Sequence, residues 1–290
     1  MNLFAVAAAT VIIHRTMIPA ILVTVYLTVF VCLTAVQRKL IYHPCRESLV
    51  TLETRAAATE FQAWHNVVGE HIGWKRLSKT QPAVAQFLIL HGNTGCALDW
   101  NHYADAVQSL CGVDVYLLEY PGYGSRLGAL CQDGFFRAAA EAVAELSREQ
   151  RTYVIGESLG TGVATYLAAS MPQKISGVLL VAPYNNMGAV AQHHLKVFPA
   201  RWMLRDKFAS DIYLRRYSGP VGFLLADRDE VVPNQFGRRL YDGYSGPKRL
   251  WVAPNAGHDD LHRPAIDWWK QALNFLDITI SQADHADKAT

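Results

Sequence analysis

A serine flanked by glycines, Gly156-Glu157-Ser158-Leu159-Gly160, follows the apolar run Thr152–Ile155 and precedes a helix-compatible stretch. Strand, sharp turn, helix is the setting in which a G-x-S-x-G serine is held in a strained turn with its hydroxyl exposed. A side chain at either glycine would collide with the neighbouring strand and helix. A serine hydroxyl alone is a weak nucleophile; it needs a base, and the base needs a carboxylate to orient it. Later loops offer both. The run Val221–Ala226 ends in Asp227-Arg228-Asp229-Glu230-Val231-Val232-Pro233, and Trp251–Gly257 leads into His258. Asp229 is favoured over Asp227 because it lies further past the strand, just before the Val-Val-Pro turn; Asp227 is expected to meet nearby backbone or Arg228.

Acyl transfer by such a set passes through a tetrahedral intermediate whose negative oxygen must meet preorganised N–H donors. The backbone N–H of Leu159 is expected to be one. Asn93, in His91-Gly92-Asn93-Thr94-Gly95 after another apolar run, is expected to be the second, with the glycines leaving room for the backbone to turn inward. As a phosphate loop this segment lacks Gly-Lys-Ser/Thr. His258 and His262 stand four apart, as on a zinc-binding helix, but Asp259 replaces the glutamate that pattern wants and a Pro-Asn-Ala-Gly loop precedes it. Neither a metal nor a cofactor is expected.

These residues need a scaffold that brings distant loops together. Short apolar runs at 83–90, 113–119, 152–155, 177–182, 221–226 and 249–253 read as buried parallel strands. Amphipathic windows at 101–110, 134–150, 160–170 and 263–276 alternate with them. That alternation predicts an α/β fold with a mostly parallel central sheet flanked by helices. Residues 42–79, with aromatics and few helix signals, are expected to supply leading antiparallel strands.

With 290 residues, 51% of them hydrophobic and 18% charged, the chain is long and apolar enough for one large domain. A net charge of +2 gives no cation excess for counterion release, so nucleic acid is not an expected partner. Its five cysteines are scattered, without a Cys-x-x-Cys pair that would suggest a disulfide framework or zinc site. The apolar residues concentrate at the start: Met17–Val36 is long enough to cross a hydrocarbon core and closes with Gln37-Arg38-Lys39. The expected organisation is an N-terminal membrane anchor over 1–36, a catalytic domain over 37–280 and a polar tail over 281–290. A cleaved signal peptide and a buried soluble helix are the competing readings of the first segment. Arg15 on one side against Arg38, Lys39 and Arg46 on the other leans weakly toward a cytoplasmic catalytic domain.

The chain resembles the α/β-hydrolase superfamily, and within it the membrane-anchored serine hydrolases of the abhydrolase-domain type. Over about residues 37–278 the resemblance rests on the serine turn, residues 37–44 (QRKLIYHP), 91–95 (HGNTG), 119–125 (EYPGYGS), 204–208 (LRDKF) and 229–233 (DEVVP), and Ala256-Gly257-His258. It implies the α/β-hydrolase fold, a triad of Ser158, Asp229 and His258, and Asn93 and Leu159 as oxyanion donors. Glu119 and Pro121 depart from the family, which usually has Asp and often Arg there; both are expected to border the cleft.

Fewer than 40 residues separate the strand ending near Ala182 from that starting at Val221, enough only for a minimal lid of two short helices in 187–217. Phe198, Trp202, Met203 and Leu204 would line or cover a pocket, or simply pack on the sheet; His193-His194 reads as a solvated pair. A small apolar cover beside an anchor suggests acyl chains, so the expected substrates are carboxylic esters or thioesters, such as lysophospholipids or S-acylated proteins. A prolyl-oligopeptidase-type peptidase and a non-catalytic receptor or scaffold are the alternatives.

Overall fold

The computed structural model describes residues 3–280. The tail expected over 281–290 lies outside the described residues.

Helix α1 (Leu3–Ile41) leads into β1 (His43–Pro44), α2 (Leu49–Ala58), and the strands β2 (Gln62–His65), β3 (His71–Arg76) and β4 (Ala85–Leu90). After β5 (Thr94–Gly95), the alternation α3 (Asn101–Gln108), β6 (Val113–Leu118), α4 (Gln132–Glu145), β7 (Thr152–Glu157), α5 (Leu159–Ser170), β8 (Ile175–Val181) begins. A cap of short helices, α6 (Met187–His194), α7 (Ala200–Met203) and α8 (Ser210–Tyr213), interrupts it before β9 (Val221–Ala226), α9 (Asn234–Gly243), β10 (Lys248–Ala253) and α10 (Ile266–Phe275).

The main sheet has the order β10-β9-β8-β7-β4-β6-β3-β2. The strands from β10 to β6 run parallel, while β3 is antiparallel to β6 and β2 to β3. Alternate residues of each strand feed opposite layers. Leu88, Leu90, Val154 and Phe223 pack with α4, α5 and α9, whereas Phe87, Ile89, Tyr153 and Leu224 pack with α2, α3 and α10. Apolar layers on both faces explain why the central strands read as unbroken hydrophobic runs.

Two expectations change. Residues 42–79 contain the antiparallel strands but also α2, whose start is capped by the Ser48 hydroxyl accepting the Thr51 N–H at 3.2 Å and which buries Leu52 and Ala56, four residues apart on one face. The segment 187–217 forms more short helices than the two expected. Its Leu204 is buried and lines a cavity beside Ser158, but Trp202 is 82% exposed and does not line that cavity.

Met17–Ile41 of α1 is 25 residues long and apolar enough to cross a membrane, and its most apolar 18-residue window is unburied by the rest of the chain. Its β-branched threonines return their hydroxyls to the helix: Thr24 donates to the Ala20 carbonyl at 2.9 Å and Thr28 to the Thr24 carbonyl at 2.8 Å. No hydroxyl of this pair needs water, which suits a hydrocarbon environment. The helix does not end at residue 36. Its last turn sits on the cap: Gln37 is buried, donating to the Met203 carbonyl and accepting from the Arg205 N–H, and Arg38 grips Asp206 through two bonds of 2.8 and 3.0 Å. Tyr42 donates a further bond to Asp206 at 2.9 Å. The two sequence signatures 37–44 and 204–208 are therefore halves of one contact.

Candidate active site

The turn between β7 and α5 sets Ser158 at φ 49°, ψ −115°, a left-handed conformation that raises its side chain off the end of the sheet. The flanking glycines are required by contact. A Cβ on Gly156 would lie 2.6 Å from the Gly160 carbonyl oxygen, and one on Gly160 only 2.1 Å from the Leu90 carbonyl oxygen. The strain is held by the Ser158 N–H, which donates to the Val181 carbonyl of β8 at 2.9 Å.

Ser158, His258 and Asp229 converge from three loops at the C-terminal ends of β7, β10 and β9. His258 Nε2 is 3.1 Å from Ser158 Oγ, and His258 Nδ1 is 2.7 Å from Asp229 Oδ2. Asp229 Oδ1 accepts the backbone N–H groups of Val231 and Val232 at 2.9 and 2.7 Å, so the Val-Val-Pro turn fixes the carboxylate's orientation. Asp227 is exposed, and the expected contact with Arg228 does not form; Arg228 bonds Asn255 instead. Burial lowers the His258 pKa, but the bond and charge of Asp229, with help from Glu157 and Asp259, more than offset it, so the imidazole titrates above its ordinary value.

Asn93 and Leu159 flank Ser158 in the same cavity. The Asn93 loop is fastened on three sides. Its carbonyl accepts from the His43 N–H at 2.9 Å and from Tyr123 Oη at 2.7 Å, and its carboxamide donates to the Ile41 carbonyl at 2.9 Å. β1 pairs with β5 alongside, so the chain leaving α1 is stitched directly to this loop.

Several polar residues here carried no sequence signal of their own. Glu157, the variable position of the serine turn, accepts hydrogen bonds from Trp100 Nε1 at 2.7 Å and from Tyr103 Oη, and lies 3.2 Å from His262 Nδ1. The two histidines spaced like zinc ligands thus take separate partners, His258 facing Asp229 and His262 facing Glu157. Only the placement of Glu157 beside the serine hinted at a role; its partners stand 54 to 105 residues away.

Glu119 does not border the cleft. It is fully buried beneath the Asn93 loop, accepting the Ala97 N–H at 3.1 Å with His91 Nε2 at 3.6 Å. Burial pushes its carboxyl up to about 8, against the lowering effect of the Ala97 bond. His91 Nδ1 lies 2.8 Å from the Gly92 carbonyl and so carries the ring proton, leaving Nε2 unprotonated and without a hydrogen-bond partner beside Glu119. The folded carboxyl titrates above the unfolded one, so its contribution to stability is complete below about 4.5 and is lost as pH rises through about 8. Glu119→Gln, which keeps shape and hydrogen bonding without the ionisation, is expected to flatten the fall of the urea midpoint between pH 6 and 9 relative to wild type. Pro121 also lies elsewhere, lining a hollow with Arg126 and Cys131.

Two cavities meet at Ser158. One, about 310 Å³, is bordered by the titratable side chains of Asp99, Glu157, His258, Asp259 and His262, with Trp100 among them. The other, about 460 Å³, is largely apolar and runs from Ser158 past Leu159, Met187, Val190 and Val232 toward Leu40 of α1. His194, read as solvated, lies on its rim, with Nε2 at 2.9 Å from the Val231 carbonyl.

Residues 86–210 match the alpha/beta hydrolase fold family. The chain is 29% identical over 233 residues to an uncharacterized protein of Mycobacterium tuberculosis, covering 77% of this chain and 81% of that protein. It is 30% identical over 202 residues to the lysophosphatidylserine lipase ABHD12 of Rattus norvegicus, covering 62% of this chain, and it spans about half (50%) of that lipase's length. A Pyrococcus furiosus esterase structure superposes with a TM-score of 0.60 at 17% identity, covering 82% of this chain and 97% of the esterase, a likeness of fold. Together with the eight-stranded sheet and the serine turn, these matches show the alpha/beta hydrolase fold and make the chain similar to abhydrolase-domain hydrolases; its N-terminal apolar helix is long enough to span a bilayer.

Proposed function

We propose that the chain is a serine hydrolase that cleaves acyl esters or thioesters of single-chain lipids through an acyl-enzyme. The observation that carries this reading is the hydrogen-bonded series Ser158 Oγ, His258, Asp229 set between a largely apolar cavity and a second one bordered by the side chains of Asp99, Glu157 and His262. His258 Nε2 takes the Ser158 proton as Oγ attacks the acyl carbon; the oxyanion meets the N–H groups of Leu159 and Asn93. The imidazolium then protonates the leaving oxygen or sulfur, and water enters by the reverse route. The acyl chain lies in the larger apolar cavity and the leaving group in the other, where His262 and Glu157 offer hydrogen bonds. The lipase named for lysophosphatidylserine among the relatives fits a substrate with one chain and a polar head.

An active-site-directed fluorophosphonate is expected to label wild-type protein and leave Ser158→Ala unlabelled. Equal labelling of the two would refute the assignment of Ser158. p-Nitrophenyl acyl esters are expected to outpace matched peptide amides; faster amide cleavage would favour a peptidase.

A further inference from the structure

The apolar cavity at Ser158 does not stop at the catalytic body. A second apolar space of about 100 Å³ continues from it between the last turns of α1 and the cap, and the two share Leu40, Ile41, Ala191 and Leu204. Beyond those shared side chains the slot is walled by Leu33 of α1 on one side and Leu195 and Met203 of the cap on the other. Of the two polar residues in its wall, Thr34 donates its hydroxyl to the Phe30 carbonyl at 2.8 Å and Gln37 spends its carboxamide on the Thr34 and Met203 carbonyls and the Arg205 N–H, so neither presents an unpaired group to an apolar occupant.

A second observation sets the depth of the slot. Tyr26 stacks on Phe198 of the cap with ring centroids 4.9 Å apart. Tyr26 precedes Gln37 by eleven residues, about 16 Å of helix rise, so the cap extends well along the apolar span. The cap residues there leave apolar side chains bare: Val197 is 76% and Trp202 82% exposed. Exposed apolar groups beside a membrane-length helix are satisfied by the hydrocarbon that surrounds the helix. The outer part of the slot therefore lies at a depth where acyl chains are the solvent.

We propose that the substrate's single acyl chain reaches Ser158 sideways from the bilayer, through a slot with the anchor helix as one wall (Leu33, Leu40, Ile41) and the cap as the other (Ala191, Met203, Leu204). The inference rests on the serine hydrolase reading above and extends it: α1 is part of the acyl-binding site, so the helix that holds the protein to the membrane also sets chain-length preference. The polar head stays in the hollow beside His262, which shares no lining residue with the slot.

The test uses the full-length protein in phosphatidylcholine vesicles, with p-nitrophenyl esters from acetate to palmitate. Leu33→Trp fills the outer slot and is expected to lower the palmitate-to-acetate ratio of kcat/KM by about tenfold or more, the effect of leaving two or more methylenes unburied. Leu33→Ala, which opens the same place without bulk, is expected to shift the optimum toward longer chains. Trp202→Ser is expected to slow hydrolysis of a vesicle-borne lysophospholipid more than that of a soluble short ester. Palmitate-to-acetate ratios within twofold of wild type for both Leu33 variants would overturn the proposal while leaving Ser158 chemistry intact. A wild-type protein that takes up no fluorophosphonate fails the hydrolase reading itself, and the slot with it.

Discussion

Asp229→Asn is expected to lower kcat for a short acyl ester by about 10⁴-fold, while Asp227→Asn stays within about twofold of wild type. The geometry explains why so small a change costs so much. Asp229 Oδ1 is committed to the Val231 and Val232 N–H groups, so an asparagine would keep its carbonyl oxygen there and turn its amide toward His258 Nδ1. Two donors cannot face each other. The imidazole would move its proton to Nε2, the atom that must accept from Ser158. Asp227, two residues earlier, is exposed on the same loop and touches neither His258 nor the serine. The variant also moves the pH profile. Wild-type activity is expected to fall as pH drops through a His258 pKa held above its ordinary value, because the protonated ring cannot take the Ser158 proton. Without the Asp229 charge that limb shifts to lower pH, and its residual activity flattens. Stopped assays of p-nitrophenyl butyrate from pH 5 to 9 for the three proteins check both points; a large loss in Asp227→Asn would reassign the orienting carboxylate.

What the chain revealed before folding, and what it hid, divides by the range of the interactions involved. Apolar runs such as Val221–Ala226 announced their strands because each is buried on both faces, which leaves a continuous hydrophobic signature. The serine turn was legible because its glycines, its preceding strand and its following helix are all local. Asp229 and His258 were legible as loop residues after strands, and the folded chain brings both to Ser158. Helix α2 was hidden because Val50, Thr51 and Thr54 interrupt the pattern with β-branched residues, leaving Ser48, Leu52 and Ala56 as its sparse local marks. The pairings of Glu157 with Tyr103, of Arg38 with Asp206 and of Asn93 with Ile41 span 54, 168 and 52 residues. No periodicity encodes a partner that far along the chain. Glu119 shows the same limit in another form. Its sequence position beside the Pro-Gly-Tyr-Gly loop suggested a cleft residue, whereas the close approach of Gly124, where a Cβ would lie 2.4 Å from Glu119 Oε2, shows a carboxyl sealed under the loop.

These long-range contacts bear on one another. α1 ends by accepting a hydrogen bond from Asn93, its exit strand pairs with the Asn93 loop, and its last turn grips the cap through Asp206. The apolar helix α1, the Asn93 loop and the cap are thus held by one short stretch, residues 37–45. A displacement of α1 against the body would be felt at the Asn93 N–H and at the apolar cavity together, which ties the position of this membrane-length helix to the geometry around Ser158 more closely than a flexible tether would.

The largest structural penalty is expected at Gly160. Gly160→Ala adds a single methyl group, yet that Cβ would sit 2.1 Å from the Leu90 carbonyl oxygen, 2.7 Å from the His91 carbonyl oxygen and 2.8 Å from the Leu90 carbonyl carbon. All three atoms are backbone of β4 and its exit, the strand that pairs with both β6 and β7 in the middle of the sheet, so no side chain can swing aside. Relief requires α5 to lift away from β4. That would open the buried layer holding Leu159, Val163 and Leu167 and carry the Leu159 N–H away from the Asn93 loop. Overpacking of a rigid interior typically costs 1–3 kcal/mol, and a clash with fixed backbone belongs at or above the top of that range, about 3 kcal/mol or more. Gly243→Ala is the matched control, since a Cβ there meets nothing within 4 Å. Thermal unfolding of the two variants beside wild type, with fluorophosphonate labelling of whatever remains folded at low temperature, separates the outcomes. Gly160→Ala should melt far below wild type and label slowly even while folded, because the Leu159 N–H, the proposed oxyanion donor, has moved with the helix. A Gly160→Ala protein as stable as Gly243→Ala and labelled at the wild-type rate would mean that α5 does not pack on β4 as closely as these distances require.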